Sequence, residues 1–103
     1  MANVKGLVDG VARNAEHPQT FHIPSAAEKA ALRPGDWVKV GFVFSDGKVE
    51  RMWVLIKSID GSVLEGTLDN EPLNDGARLG DRVVFSERHV LGILHESDKP
   101  MRN

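Results

Sequence analysis

The sequence predicts a single small α+β domain, a curled antiparallel sheet of about five strands with one or two short helices packed on it. Three observations carry this prediction. Apolar residues alternate through three consecutive segments separated by the corners Asp46-Gly47 and Asp60-Gly61, the pattern of strands joined by tight turns. A helix-start signature, Ser25 with Glu28 three residues later, stands ahead of the first of these segments. A chain of 103 residues with 41% apolar content suits one core rather than two.

Taken in order, Val4, Leu7, Val8, Val11, Ala12 and Ala15 fall on one helical stripe. Gly6 and Gly10 oppose it, since each costs about 1 kcal/mol relative to Ala inside a helix. Residues 1–20 therefore read equally as a short amphipathic helix and as an extended edge segment. Ser25 and Glu28 form a capping box that opens a short helix over 26–32. Pro34-Gly35 closes it, because the proline ring disfavours helical geometry at Arg33.

Residues 36–44, 51–59 and 62–69 follow as a three-stranded meander, and 82–85 and 89–94 read as two further short strands. With Asp46-Gly47 centred in its loop, Val38 faces Leu55, Val40 faces Trp53 and Phe42 faces Arg51. With Asp60-Gly61 as a two-residue turn, Trp53 faces Leu68, Leu55 faces Gly66 and Lys57 faces Leu64. One face then collects Val38, Val40, Phe42, Phe44, Trp53, Leu55, Leu64 and Leu68 as the core. The reverse face carries Met52, Val54 and Ile56, which asks for a cover, most economically the capped helix. An SH3-like barrel is one form such a sheet takes. Residues 21–94 make the core of the domain, and the polar tail, 95–103, is expected to fray.

Arg33-Pro34-Gly35-Asp36-Trp37-Val38-Lys39-Val40 is echoed by Arg78-Leu79-Gly80-Asp81-Arg82-Val83-Val84-Phe85. A duplicated half-barrel would produce this echo. Shared turn chemistry produces it more cheaply, since Gly and Asp favour such corners for steric and hydrogen-bonding reasons.

Composition narrows the function classes. The net charge is −2 and no run of Lys and Arg is present, which argues against nucleic acid as a partner. A basic face would require Lys39, Arg51, Lys57 and Arg82 to converge. The chain has no cysteine, which removes disulfides and thiolate chemistry and fits a reducing compartment. No segment approaches the roughly 20 apolar residues of a membrane span, and the start lacks a signal-peptide pattern, so a cytoplasmic location and no membrane partner are expected. No cofactor motif, metal motif or nucleophile elbow is present. His17 and His22, like His89 and His95, lack the spacing of recurrent zinc ligand pairs. The sequence leaves the oligomeric state open.

The residues that carry the most chemical interest sit where the third strand ends. Asp69, Asn70 and Glu71 precede Pro72, and the predicted register sets Asn70 opposite Arg51 with Glu50 beside it. Glu50, Arg51, Asp69, Asn70 and Glu71 would thus form a charged corner able to hold a cation, a basic partner or, through Arg51, an anion. The same residues also suit ordinary turn capping and ion pairing. Trp37 and Trp53 fall on opposite faces in this register. Trp53 is then the core residue and Trp37 the surface candidate, and both lie near the proposed binding corner.

Five fragments occur together in order: Thr20-Phe21-His22-Ile23-Pro24-Ser25, Leu32-Arg33-Pro34-Gly35-Asp36-Trp37-Val38-Lys39-Val40, Glu50-Arg51-Met52-Trp53-Val54, Gly66-Thr67-Leu68-Asp69-Asn70-Glu71-Pro72 and Gly80-Asp81-Arg82-Val83. Together they resemble the bacterial domain-of-unknown-function family 2314 (DUF2314), over about residues 21–93. The resemblance implies a small α+β domain with no assigned activity, and it draws attention to the Glu50-Arg51 and Asp69-Asn70-Glu71 fragments.

The function that follows most directly is a non-catalytic binding or protein-interaction module, with another protein as partner and no cofactor. An immunity-like protein is one form of it. A small hydrolase or isomerase, with Asp69 or Glu71 as base and Arg51 as anion holder, is the alternative. An RNA-binding barrel is a third, and it requires a contiguous basic face with exposed aromatics.

Overall fold

A computed structural model of the protein describes residues 3–95. Its elements run β1 (Val4–Leu7), α1 (Gly10–Glu16), α2 (Ala26–Ala30), β2 (Trp37–Phe44), β3 (Val49–Asp60), β4 (Val63–Leu68), β5 (Arg82–Ser86), a single 3-10 turn (Glu87–His89) and β6 (Gly92–Leu94). The strands lie side by side in the order β1-β2-β3-β4-β5, all antiparallel, and β6 returns to pair with β2. β1 meets the Phe42–Phe44 end of β2 and β6 meets its Trp37–Lys39 end. The meander is thereby nearly closed into a barrel, and the predicted α+β class holds. Of the predicted tail only His95 lies within the described residues.

The N-terminal segment is both of the forms its sequence suggested. Val4–Leu7 pairs as an edge strand, and Asp9 then caps a helix by accepting the Ala12 amide at 3.0 Å. The Ser25–Glu28 capping box forms with both of its hydrogen bonds, each satisfying a backbone N–H with no partner inside the helix. The helix it opens ends at Ala30, two residues before the predicted end. Its last turn tightens, with the Leu32 amide donating to the Lys29 carbonyl. The last predicted strand is also shorter than expected: Glu87–His89 is a 3-10 turn, and pairing resumes only at Gly92.

The register of β3 corrects the sequence reading. Val38 faces Val54, Val40 faces Met52 and Phe42 faces Glu50, one residue away from the predicted pairs. The reason lies in the turn. Gly47 adopts a positive φ of 87° and its amide donates to Phe44, whose own amide donates to Lys48. Such a three-residue loop contains one more residue than a loop centred on Asp46-Gly47 allows. At the other end the tight turn is Gly61-Ser62, with Asp60 facing Val63, and an irregularity between Ile56 and Ser58 then removes one step, so that Ile56 faces Gly66 and Val54 faces Leu68. The two predicted registers miss β3 by one residue in opposite directions, and a one-residue miss of either sign reverses the strand's faces, which is why they agreed on the same wrong face.

Because side chains alternate along a strand, this slip reverses β3. Met52, Val54 and Ile56 point into the core with Val38, Val40, Phe42, Phe44, Leu64, Leu68, Val83 and Phe85. Trp53 and Leu55 lie on the outer face. Trp37, expected at the surface, is buried, and Trp53, expected in the core, is half-buried. The two tryptophans share one face. Inner side chains of this kind each contribute about 1.5–3 kcal/mol relative to exposure, so the core clamps β3 in this register.

The echoed fragments form equivalent turns. Asp36 accepts the Arg33 amide at 3.0 Å and Asp81 accepts the Arg78 amide at 2.8 Å. Gly35 and Gly80 both have positive φ, and their amides donate to Ile56 and Leu68, which in turn donate to the Asp36 and Asp81 carbonyls. The first turn precedes β2 and then β3, whereas the second comes between β4 and β5. A tandem duplication would preserve that order, so common turn chemistry is the better account of the echo.

Candidate functional site

The acidic strand exit is built by extending the β3–β4 ladder beyond its last residue pair. The Asp69 amide donates to the Trp53 carbonyl at 2.9 Å, and the Asn70 side-chain oxygen accepts the Trp53 amide at 2.6 Å. Asn70 thus takes the place of a backbone carbonyl, a role that suits its short amide side chain. The Asp69 carboxylate accepts the Trp37 indole N–H at 2.7 Å. Trp37 can lie buried on an outer face because this turn packs over it and supplies its acceptor.

Glu50 holds the next part of the loop. Its carboxylate accepts the Leu73 amide at 2.9 Å, the Asn74 amide at 3.3 Å and the Asn74 side-chain amide at 3.0 Å. Burial pushes the Glu50 carboxyl up, but the hydrogen bonds from Leu73 and Asn74 outweigh it and hold the group below the ordinary value. A carboxyl held low is unsuited to proton donation near neutral pH. The Glu71 side chain is exposed and makes no hydrogen bond or ion pair among the described residues.

Arg51 does not join these groups. The register turns it to the outer face opposite Gly41, and among the described residues it makes no ion pair or hydrogen bond with Asp69, Asn70 or Glu71. Its guanidinium carbon instead sits 5.2 Å from the centre of the Phe21 ring, and the Arg13 guanidinium lies 5.6 Å from the same ring. The structure therefore brings Asp69, Asn70, Trp37 and the Trp53 backbone together as a brace, leaves Glu50 to hold the loop that follows, and separates Arg51 from both.

Arg51, Arg13 and Phe21 line a cleft of about 650 Å³ between α1 and the outer face of the sheet, with Val8, Ala12, Val43 and Val49 as its apolar walls. Phe21 is positioned by α1, since its amide donates to the His17 carbonyl and its carbonyl accepts the Asn14 side chain at 2.8 Å. The cleft's one acid, Asp9, is already committed. The Ala12 amide and the Arg88 guanidinium, the latter at 2.6 Å, hold its carboxyl below the ordinary value. Arg13 and Arg51 have no carboxylate partner among the described residues.

A guanidinium over an aromatic face gains about 0.5–1 kcal/mol at an exposed site and keeps its N–H edge free for a planar anion. Two on one ring beside aliphatic walls suit a ligand with a carboxylate next to an apolar group. Sequence reasoning missed Phe21 and Arg13 as site residues. They stand 30 and 38 positions before Arg51, and no local pattern ties them to it.

The other outer-face pairing sets the Lys39 ammonium 4.6 Å from the Trp53 ring centre. Among the described residues no group of three or more His, Asp or Glu could hold a metal ion, and no helix is long and apolar enough to cross a membrane. No family model, curated protein or solved structure matches the chain.

Proposed function

We propose that the domain is a non-catalytic protein-interaction module, and that its docking site is the Phe21 cleft rather than the acidic corner. The segment it takes carries a carboxylate beside an apolar side chain. The observation that supports this most directly is the pair of guanidiniums on one phenylalanine, both without a carboxylate partner among the described residues, at the rim of an apolar cleft. Glu50, Asp69 and Asn70 serve in this reading to hold the strand exit and the loop after it. The hydrolase or isomerase reading loses its support, because the arginine it needs lies over Phe21 and not beside Asp69 or Glu71.

Fluorescence polarisation tests the proposal with short labelled peptides in which Glu or Asp flanks Leu or Phe, against the same peptides with Lys in place of the acid. The acidic set should bind the wild type and weaken with added salt. Loss of both guanidiniums in Arg13→Gln/Arg51→Gln should weaken it by about tenfold or more, since hydrogen bonds to charged groups contribute about 1.5–3 kcal/mol. Equal binding to the wild type and the double variant would overturn the proposal. So would equal binding of the Lys peptides, or loss of binding in Asp69→Ala/Glu71→Ala alone.

A further inference from the structure

A second cleft, of about 760 Å³, lies between α1, α2, the Gly61-Ser62 turn and the 3-10 turn. α1 separates the two clefts, giving Val11 and Asn14 to this one and Ala12 and Arg13 to the other. Lys29 lines the second cleft and is only 7% exposed. Its aliphatic stem is packed, as the stem of a long charged side chain can be, yet its ammonium makes no hydrogen bond or ion pair among the described residues. No buried side-chain nitrogen or oxygen among those residues lacks a partner. The Lys29 ammonium therefore keeps contact with solvent, and Lys29 is a lining residue of this cleft.

With its stem packed and no counter-charge among the described residues, this ammonium is available to an anion that enters the cleft. The side chains that share the cleft complement an anion. Ser25, Ser62 and Ser86 contribute hydroxyls, and Arg88 contributes a guanidinium whose Nε already donates to Asp9. The Ser25 hydroxyl is engaged in the capping box, accepting the Glu28 amide and bonding the Glu28 carboxylate, so Ser62 and Ser86 are the hydroxyls best placed to donate to a ligand. The one acid lining the cleft, Glu87, is exposed. A compact ammonium with hydroxyl donors around it favours a tetrahedral oxyanion, whereas the planar arginine fork of the first cleft favours a carboxylate.

We propose that this cleft binds a phosphate group, free or as a phosphate monoester, with Lys29 as its charged anchor. The site is independent of the Phe21 cleft and stands if that reading fails.

Amide-detected NMR on the full chain tests it, with inorganic phosphate in one arm and O-phosphoserine in the other. Saturable shifts are expected at Ser25, Ser62 and Ser86. Lys29→Met keeps the packed stem and removes the charge, and it should weaken binding about tenfold, the loss of one charge-assisted contact. Lys29→Arg should retain most of the affinity, and Arg13→Gln/Arg51→Gln should retain all of it. Saturation by the monoester alone identifies the bound group as part of a larger ligand, and saturation by both identifies phosphate itself. Shifts that do not saturate in either arm, or affinity unchanged by Lys29→Met, would overturn the proposal. If Lys29→Met does not fold, Ser62→Ala/Ser86→Ala decides: weaker binding supports the site and unchanged binding overturns it.

Discussion

Gly66→Ala should be one of the most damaging single-methyl additions to this domain. Gly66 sits in β4 opposite Ile56, at the step where the β3–β4 register changes. A Cβ there would lie 2.2 Å from the Leu55 carbonyl oxygen, and 2.9 Å from both the Leu55 carbonyl carbon and a Val54 methyl. An ordinary carbon–oxygen contact is about 3.3–3.6 Å, so β3 and β4 must part by about 1 Å. Overpacking a tight interior costs about 1–3 kcal/mol. Here backbone rather than a flexible side chain has to give, which puts the cost near the top, at about 3 kcal/mol. For a domain of this size each kcal/mol moves the midpoint by about 4–8 °C, and thermal unfolding followed by circular dichroism should show a fall of about 12–24 °C. Gly6→Ala is the control. Nothing lies within 4 Å of its added carbon, and stability should change by less than about 0.5 kcal/mol. A Gly66→Ala midpoint within about 3 °C of wild type would refute both the close β3–β4 approach and the register that depends on it.

Two further outcomes follow from named contacts. Glu50→Ala removes the acceptor for the Leu73 and Asn74 amides and should cost about 1 kcal/mol, the usual worth of a partly solvated hydrogen-bond cluster; hydrogen exchange should speed up at residues 73 and 74 and stay slow in β3. His89 gives a pH dependence. Burial holds its imidazole below the ordinary value of 6.5, against a smaller upward pull from Asp9. The unfolded chain therefore takes up this proton more readily than the folded one. The stability tied to neutral His89 is complete above 6.5 and is lost as pH falls through the lower folded value. Protonating Nδ1 also removes the acceptor of the Ser86 amide, now at 3.1 Å. Urea midpoints should fall between about pH 7.5 and 5.5, and fall less in His89→Asn, since only a titrating group contributes to this slope. Equal slopes in the two proteins would remove His89 as the cause.

Local chemistry was sufficient for much of the fold. The Ser25–Glu28 capping box, the Pro34-Gly35 stop, the alternating strands and the Gly-Asp corners are each decided by residues within a few positions of one another. Their sum specifies a small antiparallel sheet with short helices. Which side of β3 faces inward was not decided locally. Side chains alternate with a period of two, so a single residue gained at Gly47 and one absorbed between Ile56 and Ser58 exchanges Trp53 for Met52 in the core. The predicted charged corner went with it. The acidic turn and the two tryptophans do gather, but as a brace in which Asp69 holds Trp37 and Asn70 holds the Trp53 backbone, while Glu50 holds the loop beyond it.

The site read from the structure depends on contacts that no short window contains. Arg13 comes from α1, Phe21 from the connection after it and Arg51 from β3, and only the packing of that helix on the sheet stacks both guanidiniums on one ring. Lys29 likewise looks like any surface lysine of a short amphipathic helix until the Gly61-Ser62 turn and the 3-10 turn enclose a cleft beside it. Short-range sterics and hydrogen bonding determined where elements begin and end. Strand parity and long-range packing, which sum over the whole chain, decided which faces are buried and which cations are left without a partner.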